Sequence, residues 1–185
     1  MKKITLATAV TTLALVLGLA GLAVAASDTA SHDVQLGIPE IALIRVVDTS
    51  AISFTLTAPA TPGDKPVEPS ADTSKRLQYT SILPTGGGTR SVTAAVDSAV
   101  PSGLTLKLTA GAPGGWGNSG TSDGEINLST TAQSIISGIG SCFTGIGGSS
   151  GSQLTYDLDI DDSNFEDLTE STTTLTVTFT LTEAS

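Results

Sequence analysis

Cysteine is almost absent from this chain of 185 residues, and Cys142 is the single example. No disulfide can form within the chain, so the hydrophobic core alone has to stabilise the fold. Apolar Ile139 and Phe143 lie close to Cys142 in sequence, and no neighbouring basic residue would activate the thiol. We expect a buried thiol; a disulfide between two chains is the alternative.

Aromatic and charged residues are also scarce, at 4% and 14% of the chain. So few aromatic rings imply a core of Val, Leu and Ile. The scarcity of charge argues against a helical bundle, whose exposed faces would need Glu, Lys, Gln and Arg. The chain is instead rich in Thr, Ser and Gly, which suit exposed strand faces and tight turns.

Histidine occurs once, as His32, close to the start of the predicted mature chain. Nucleophilic hydrolysis needs a base beside the nucleophile. The segment Gly147–Gly151 matches G-x-S-x-G, but no histidine follows it in the chain as that motif requires. No pair of carboxylates has an apolar or aromatic setting that would suit glycoside cleavage. We therefore predict a protein with no catalytic residues.

The N-terminal residues have the pattern of a secretory leader. Two lysines precede an uncharged stretch from Ile4 to Gly21, and Ala23-Val24-Ala25 supplies the small residues that signal peptidase accepts. This order predicts a secretory signal peptide over residues 1–25 and a single domain over residues 26–185. A retained membrane helix is the alternative, but threonines interrupt the stretch and no basic stop-transfer cluster follows it.

A cleaved leader places the mature protein outside the cytoplasm, secreted, at the cell surface or in a periplasm, with no membrane span left after cleavage. The two lysines leave with the leader, so eighteen acidic residues remain against six basic ones, a net charge of −12. Such a surface repels phosphate backbones and anionic lipids. Nucleic acid and the membrane surface are therefore excluded as expected partners.

Alternation of apolar and polar residues is the strongest structural signal. Between Thr172 and Thr182, four large apolar residues alternate with threonine, as expected for a half-buried antiparallel strand. The same alternation predicts strands at Ile52–Thr57, Leu104–Thr109 and Thr155–Asp161. Further predicted strands are Asp33–Leu36, Ile41–Val47, Leu77–Leu83, Ser91–Val96, Glu125–Leu128 and Gln133–Ile136.

Turns rich in Gly and Pro separate these segments, and Ala58–Thr73 carries four prolines, which is typical of a long exposed loop. Several short strands joined by such turns predict an all-β fold. The expected architecture is a single antiparallel β-sandwich, Ig-like or jelly-roll-like, after the signal peptide.

Acidic residues concentrate after the predicted strand Thr155–Asp161. Asp157, Asp159 and Asp161 resemble the opening of an EF-hand loop, but Asp162 replaces the required Gly and Leu168 the final Glu. The members of the candidate metal site are Asp161, Asp162, Glu166 and Asp167. We expect a solvated acidic face and no cofactor, with bound Ca²⁺ as the alternative.

Trp116 is the single tryptophan and lies between glycines in the loop Gly111–Gly124. We expect its ring to fold back and cap the open end of the sandwich. The alternative is an exposed platform on which Trp116, with Asn118 beside it, would bind a sugar ring or another ligand.

The first mature segment, residues 33–47, is unusually apolar for a chain end. Such a segment can complete its own sheet or add a strand to the edge of a neighbouring molecule. The candidate assembly residues are Val34, Leu36, Ile38 and Ile41.

A signal peptide, an apolar N-terminal segment and a C-terminal strand alternating with threonine resemble, in outline, secreted bacterial β-sandwich subunits of surface filaments and cell-wall coats. The chain departs from the chaperone–usher pilus pattern, because it lacks a cysteine pair and a penultimate tyrosine before Ser185.

The resemblance implies an exported, non-enzymatic surface or fibre subunit that assembles with itself by edge-strand pairing. The alternative function is an extracellular module that binds carbohydrate, such as a cell-envelope glycan, or another ligand through the loop Gly111–Gly124.

Overall fold

The computed structural model describes residues 28–184, so the predicted signal peptide lies outside the described residues. The chain divides between Gly37 and Ile38 into two units. Residues 28–37 contain no helix or strand and are exposed throughout. Every described strand lies in the unit that begins at Ile38.

The described residues are nearly all β, with one short 3₁₀ helix at Asp162–Asp167. In chain order the strands are β1 (Ile41–Val47), β2 (Asp72–Ile82), β3 (Arg90–Val96), β4 (Leu104–Ala110), β5 (Trp116–Gly117), β6 (Thr121–Ser122), β7 (Glu125–Asn127), β8 (Gln133–Ile139), β9 (Cys142–Phe143), β10 (Ser152–Ile160) and β11 (Val177–Leu181).

These strands form two sheets in which every pair is antiparallel. The first sheet has the order β5-β9-β2-β10-β4-β7, and β1 pairs with β2 beside this path. The second sheet has the order β11-β3-β8-β6. The predicted all-β antiparallel sandwich is therefore confirmed.

Side-chain alternation explains why these segments are strands. In β3 the side chains of Val92, Ala94 and Val96 are buried in the core, whereas the residues between them are half-buried. In β10 the apolar residues alternate with aspartates, and Asp159 forms an ion pair with Lys107 of β4 at 2.5 Å. In these two strands the inward apolar side chains pack in the core, whereas β2 also buries polar side chains, Lys75, Gln78 and Ser81.

The core is mainly aliphatic, as the scarcity of aromatic residues predicts, but Tyr79 and Tyr156 are also buried in it. Its largest fully buried apolar side chains are Leu77, Val92, Leu108, Ile135, Ile136, Ile139 and Leu154. A second group of apolar side chains packs against this cluster but is only partly buried: Ile44, Val46, Ile52, Phe54, Leu106, Ile126, Leu175, Val177, Phe179 and Leu181.

Three predicted strands are absent or shortened in the structure, and others differ at their ends, as does β2, which begins at Asp72 rather than Leu77. The C-terminal strand begins at Val177 rather than Thr172. Residues 52–57 form no strand, although Ile52 and Phe54 still pack on the core in the predicted alternation. Residues 33–36 are not a strand either. Alternation specifies which side chains face the core, but a strand also needs a partner for its backbone. Residues 52–56 and 33–36 pair with no described strand, and Thr57 forms only an isolated bridge with Val67.

Candidate functional site

Three of the four candidate assembly residues of the N-terminal segment are highly exposed. Val34, Leu36 and Ile38 expose 69%, 88% and 81% of their surfaces. Isolated exposed apolar residues are common on proteins, but three at alternate positions share one face wherever the segment pairs as a β-strand. The segment therefore offers an apolar stripe at the start of the described chain.

Ile41, the fourth candidate assembly residue, is placed differently. It begins β1, pairs with Ile82 of β2 in its own sheet and is half-buried. The apolar segment from Ile41 to Val47 is thus paired with β2 within its own molecule. The stripe open to a second molecule is restricted to residues 34–38.

A second group of exposed apolar side chains crosses the first sheet. Leu43 of β1 pairs with Thr80 of β2, Thr80 with Phe143 of β9, and Phe143 with Trp116 of β5. Directly paired residues project on the same face of an antiparallel sheet, so these four side chains form one row across four strands. We call this row, Leu43–Thr80–Phe143–Trp116, the aromatic row.

The two rings of the aromatic row are stacked. The ring centroids of Trp116 and Phe143 are 4.9 Å apart and the ring planes differ by 16°. Trp116 nevertheless exposes 64% of its surface, and Phe143 is exposed as well. The expectation that Trp116 caps the end of the sandwich is therefore wrong, because the indole packs on the outer face of a sheet.

The two glycines that flank Trp116 allow the close backbone approach that this ring stacking needs. Gly117 has a φ of +81°, and a Cβ atom there would collide with the carbonyl oxygen of Ser141. Gly115, with a φ of +134°, approaches the carbonyl oxygen of Phe143 in the same way. The glycines on either side of Trp116 therefore allow β5 to lie directly against β9.

A shallow groove of about 260 Å³ lies beside the aromatic row, between β1 and the turn at Gly145–Ile146. Arg45 projects on this face and donates from Nε and Nη2 to Oε1 of Gln78, at 3.0 and 2.6 Å. Gln78 in turn donates to the carbonyl oxygen of Gly147 at 2.8 Å. The groove thus combines exposed apolar side chains with a fixed guanidinium group.

Asn118, the other candidate ligand-binding residue, lies just beyond β5. Its backbone N–H donates to the carbonyl oxygen of Ser141 at 3.2 Å, and its carbonyl oxygen accepts from Gly140 at 2.9 Å. Its side-chain oxygen accepts from the backbone of Gly120. Asn118 therefore extends the pairing that positions Trp116.

Sequence reasoning missed Leu43, Thr80 and Phe143. These residues lie far apart in the chain, and only the register of β1, β2, β9 and β5 brings them into one row. No local pattern could have found the row, because the two-residue strand β9 lies between glycine-rich turns.

The acidic turn holds its carboxylates apart. Asp161 caps the 3₁₀ helix, and its carboxylate accepts from the backbone of Ser163 at 3.0 Å and from the Asn164 amide at 2.7 Å. Asp162 forms an ion pair with Lys65 at 2.8 Å. Glu166 and Asp167 follow in the same helix. Within residues 28–184 no three His, Cys, Asp or Glu side chains gather as a metal site would require.

Hydrogen bonds shift the titration of several carboxylates. The Ser163 hydroxyl, the Asn164 amide and the Ser163 backbone lower the pKa of Asp161. The backbone N–H of Ile160 and the ammonium group of Lys65 lower the pKa of Glu68. Each of these donors favours the charged carboxylate, as expected for a capping or ion-pairing role.

The remaining groups of chemical interest are Cys142, Ser149 and His32. Cys142 is buried, as predicted, and burial raises the pKa of its thiol. Ser149 lies in the exposed turn after Ile146, where the backbone of Ser150 donates to the carbonyl oxygen of Gly147. His32 belongs to the unit before Ile38. The prediction that the protein is not an enzyme stays a prediction.

In the part of the chain that the structure describes, no helix has the length and apolar character needed to cross a membrane. Comparisons of the chain with protein-family models, with curated proteins and with solved structures find no match.

Proposed function

We propose that the protein is an exported, non-enzymatic structural subunit that assembles with further copies of itself at the cell surface. The observation that carries this proposal is the exposed stripe Val34, Leu36 and Ile38. An alternating apolar segment at a chain end can add a strand to a neighbouring sheet. The outline resemblance to surface-filament subunits supports the same conclusion.

The energetics favour such pairing. Burying one Val, Leu or Ile side chain contributes about 1.5–3 kcal/mol, and the stripe holds three of them. Added main-chain hydrogen bonds contribute affinity, and the alternating apolar side chains set the register of the donated strand. The exposed threonines of β11, such as Thr178 and Thr180, give each assembled unit a polar outer surface.

A pair of matched substitutions tests this proposal. Leu36→Asp places a carboxylate in the apolar stripe, whereas Gln35→Asp places the same charge one residue away, on the opposite face of the strand. We expect Leu36→Asp to weaken self-association at least about tenfold, because it removes the burial of one leucine. Light scattering after size exclusion and negative-stain microscopy of the concentrated protein measure the assembly.

Gln35→Asp should assemble like the unmodified protein. A protein that stays monomeric at high concentration contradicts the proposal. So does an equal loss of assembly in both variants, because charge in the segment rather than the apolar stripe would then control association.

The aromatic row supports a second candidate function, the recognition of an extracellular glycan. Stacked, exposed Trp116 and Phe143 supply an apolar surface, and the groove beside the aromatic row contains the guanidinium of Arg45, a hydrogen-bond donor. Trp116→Ala should weaken binding to envelope glycan fragments about tenfold in calorimetry, since an aromatic contact contributes up to about 1.5 kcal/mol. Phe165→Ala, which removes an exposed ring elsewhere, is the control. Equal binding by both variants would rule this function out.

A further inference from the structure

We propose that the free edge of β11 receives the donated strand, residues 33–38 of a second copy of this chain, as a new edge strand of the second sheet. This inference rests on the proposed function, since it names the surface on which the stripe of the neighbouring copy docks. We call this surface the open side of the sandwich and define it by six partly buried apolar residues of the core: Ile44, Val46, Leu175, Val177, Phe179 and Leu181.

The first observation is the incomplete burial of the core along these edges. Leu175 and the apolar residues of β11 pack against the buried core cluster, yet all stay partly accessible. By contrast, the inward side chains of β3, the next strand of the same sheet, are fully covered. The core is therefore closed beneath β3 and left partly uncovered beneath β11, as expected where another strand is to be added.

The second observation is the direction of the backbone in β11. The N–H of Thr182 donates to the carbonyl oxygen of Ser91 at 2.8 Å, and the carbonyl oxygen of Thr176 accepts from Asp97 at 3.1 Å. Backbone groups alternate in direction along a strand, so even-numbered residues of β11 face β3. The N–H and C=O groups of Val177, Phe179 and Leu181 then point to the other edge, where no described strand pairs.

The third observation places β1 and β11 on the same side of the molecule. The guanidinium of buried Arg90 donates to the carbonyl oxygen of Thr182, just after β11, at 2.8 Å and forms an ion pair with Glu40, just before β1. β1 and β11 also contact each other directly. The half-buried side chains of β1 and β11 therefore line one continuous surface.

Residues 51–56 add a second unpaired edge. They follow β1 and pack Ile52 and Phe54 on the core, but their backbone forms no hydrogen bond to other described residues. An extended backbone without partners is a template for a further strand. This second edge is a competing receiver for the donated strand.

The donated segment fits the edge of β11 in length and pattern. β11 has five residues, and residues 33–38 provide six before Pro39, which has no N–H and ends a ladder. With Val34, Leu36 and Ile38 turned towards the core, Gln35 and Gly37 would face solvent beside the exposed threonines of β11. An apolar face thereby meets the uncovered core.

Cysteine cross-linking between two variants tests the site, with Cys142→Ser in every protein to remove the native thiol. Gln35→Cys is mixed with either Thr178→Cys or Thr180→Cys and oxidised gently. Non-reducing electrophoresis then measures the linked dimer. We expect these pairs to link, because outward residues on neighbouring strands lie within disulfide reach.

Thr93→Cys is the matched control. Thr93 pairs with Thr180 and projects on the same face, but it lies one strand further into the sheet. A strand on the free edge of β11 is out of its reach, so its linked yield should be at least about tenfold lower. All four cysteines replace residues with accessible side chains, which keeps the core intact.

The outcomes separate this inference from the proposed function. If Gln35→Cys links to Thr55→Cys rather than to the two β11 variants, or links equally to Thr93→Cys, the assignment to β11 is wrong. The proposed function still holds in that case if assembly depends on Leu36. A disulfide within one chain, in a variant carrying both Gln35→Cys and Thr180→Cys, would show self-closure and overturn the assignment as well. Assembly that is insensitive to Leu36→Asp refutes the proposed function itself.

Discussion

At the scale of single residues, glycine decides where the one tryptophan lies. Glycines flank Trp116 on both sides and leave its indole little local cover, and the prediction that the ring caps the end of the sandwich is wrong. What the sequence did not reveal is the partner ring, Phe143, which is 27 positions away. The glycines matter because they let β5 approach β9, not because they loosen a loop.

Gly117→Ala tests this role. A Cβ atom at a φ of +81° is strained and would collide with the carbonyl oxygen of Ser141. We expect a loss of about 1–2 kcal/mol in the free energy of unfolding. The near-ultraviolet circular dichroism of the stacked Trp116 should also weaken.

Gly114→Ala is the control, because a Cβ atom there meets no atom within 4 Å. If both alanine variants keep the aromatic signal and the same unfolding midpoint in urea, the close approach of β5 to β9 does not depend on Gly117.

At the scale of elements, alternation predicted side-chain burial better than it predicted strands. β1 has the predicted bounds, and β3 and β10 differ from prediction by a few residues at their ends. Residues 52–57 keep the predicted burial of Ile52 and Phe54 but form no strand, and only Thr57 pairs, in an isolated bridge with Val67. Hydrogen-bond partners come from distant parts of the chain, so a local pattern cannot supply them.

At the scale of the whole molecule, low charge density coexists with a net charge of −10. Several carboxylates are nonetheless held by hydrogen bonds that lower their pKa values. The backbone N–H of Thr176 does so for Asp97, and the hydroxyl and backbone of Ser74 do so for Asp72. Such groups bind protons more weakly in the folded than in the unfolded chain.

Stability should therefore fall in acid. A carboxylate whose pKa is lowered by folding stabilises the folded chain fully at any pH above its pKa in the unfolded chain, about 4. This stabilisation is lost as the pH falls through the pKa of the folded chain. We expect the thermal midpoint to hold between about pH 8 and 5 and to fall below about pH 4. Calorimetric scans across this range measure it.

Asp97→Asn keeps an acceptor oxygen for Thr176 but does not titrate, so its midpoint should depend less on pH than that of the unmodified protein. A midpoint that rises steadily towards pH 2 would mean that relief of repulsion among the acidic residues outweighs these hydrogen bonds.

The sequence by itself determined the fold class, the aliphatic core, the buried Cys142 and most strand positions, because side-chain periodicity and turn residues are local properties. Tertiary structure alone decided the aromatic row, the uncovered core beside β11 and the bonding of Arg90 to Glu40 and Thr182. Each of these depends on which strands pair and in what register. That choice is made by contacts between residues far apart in the chain, which no local pattern encodes.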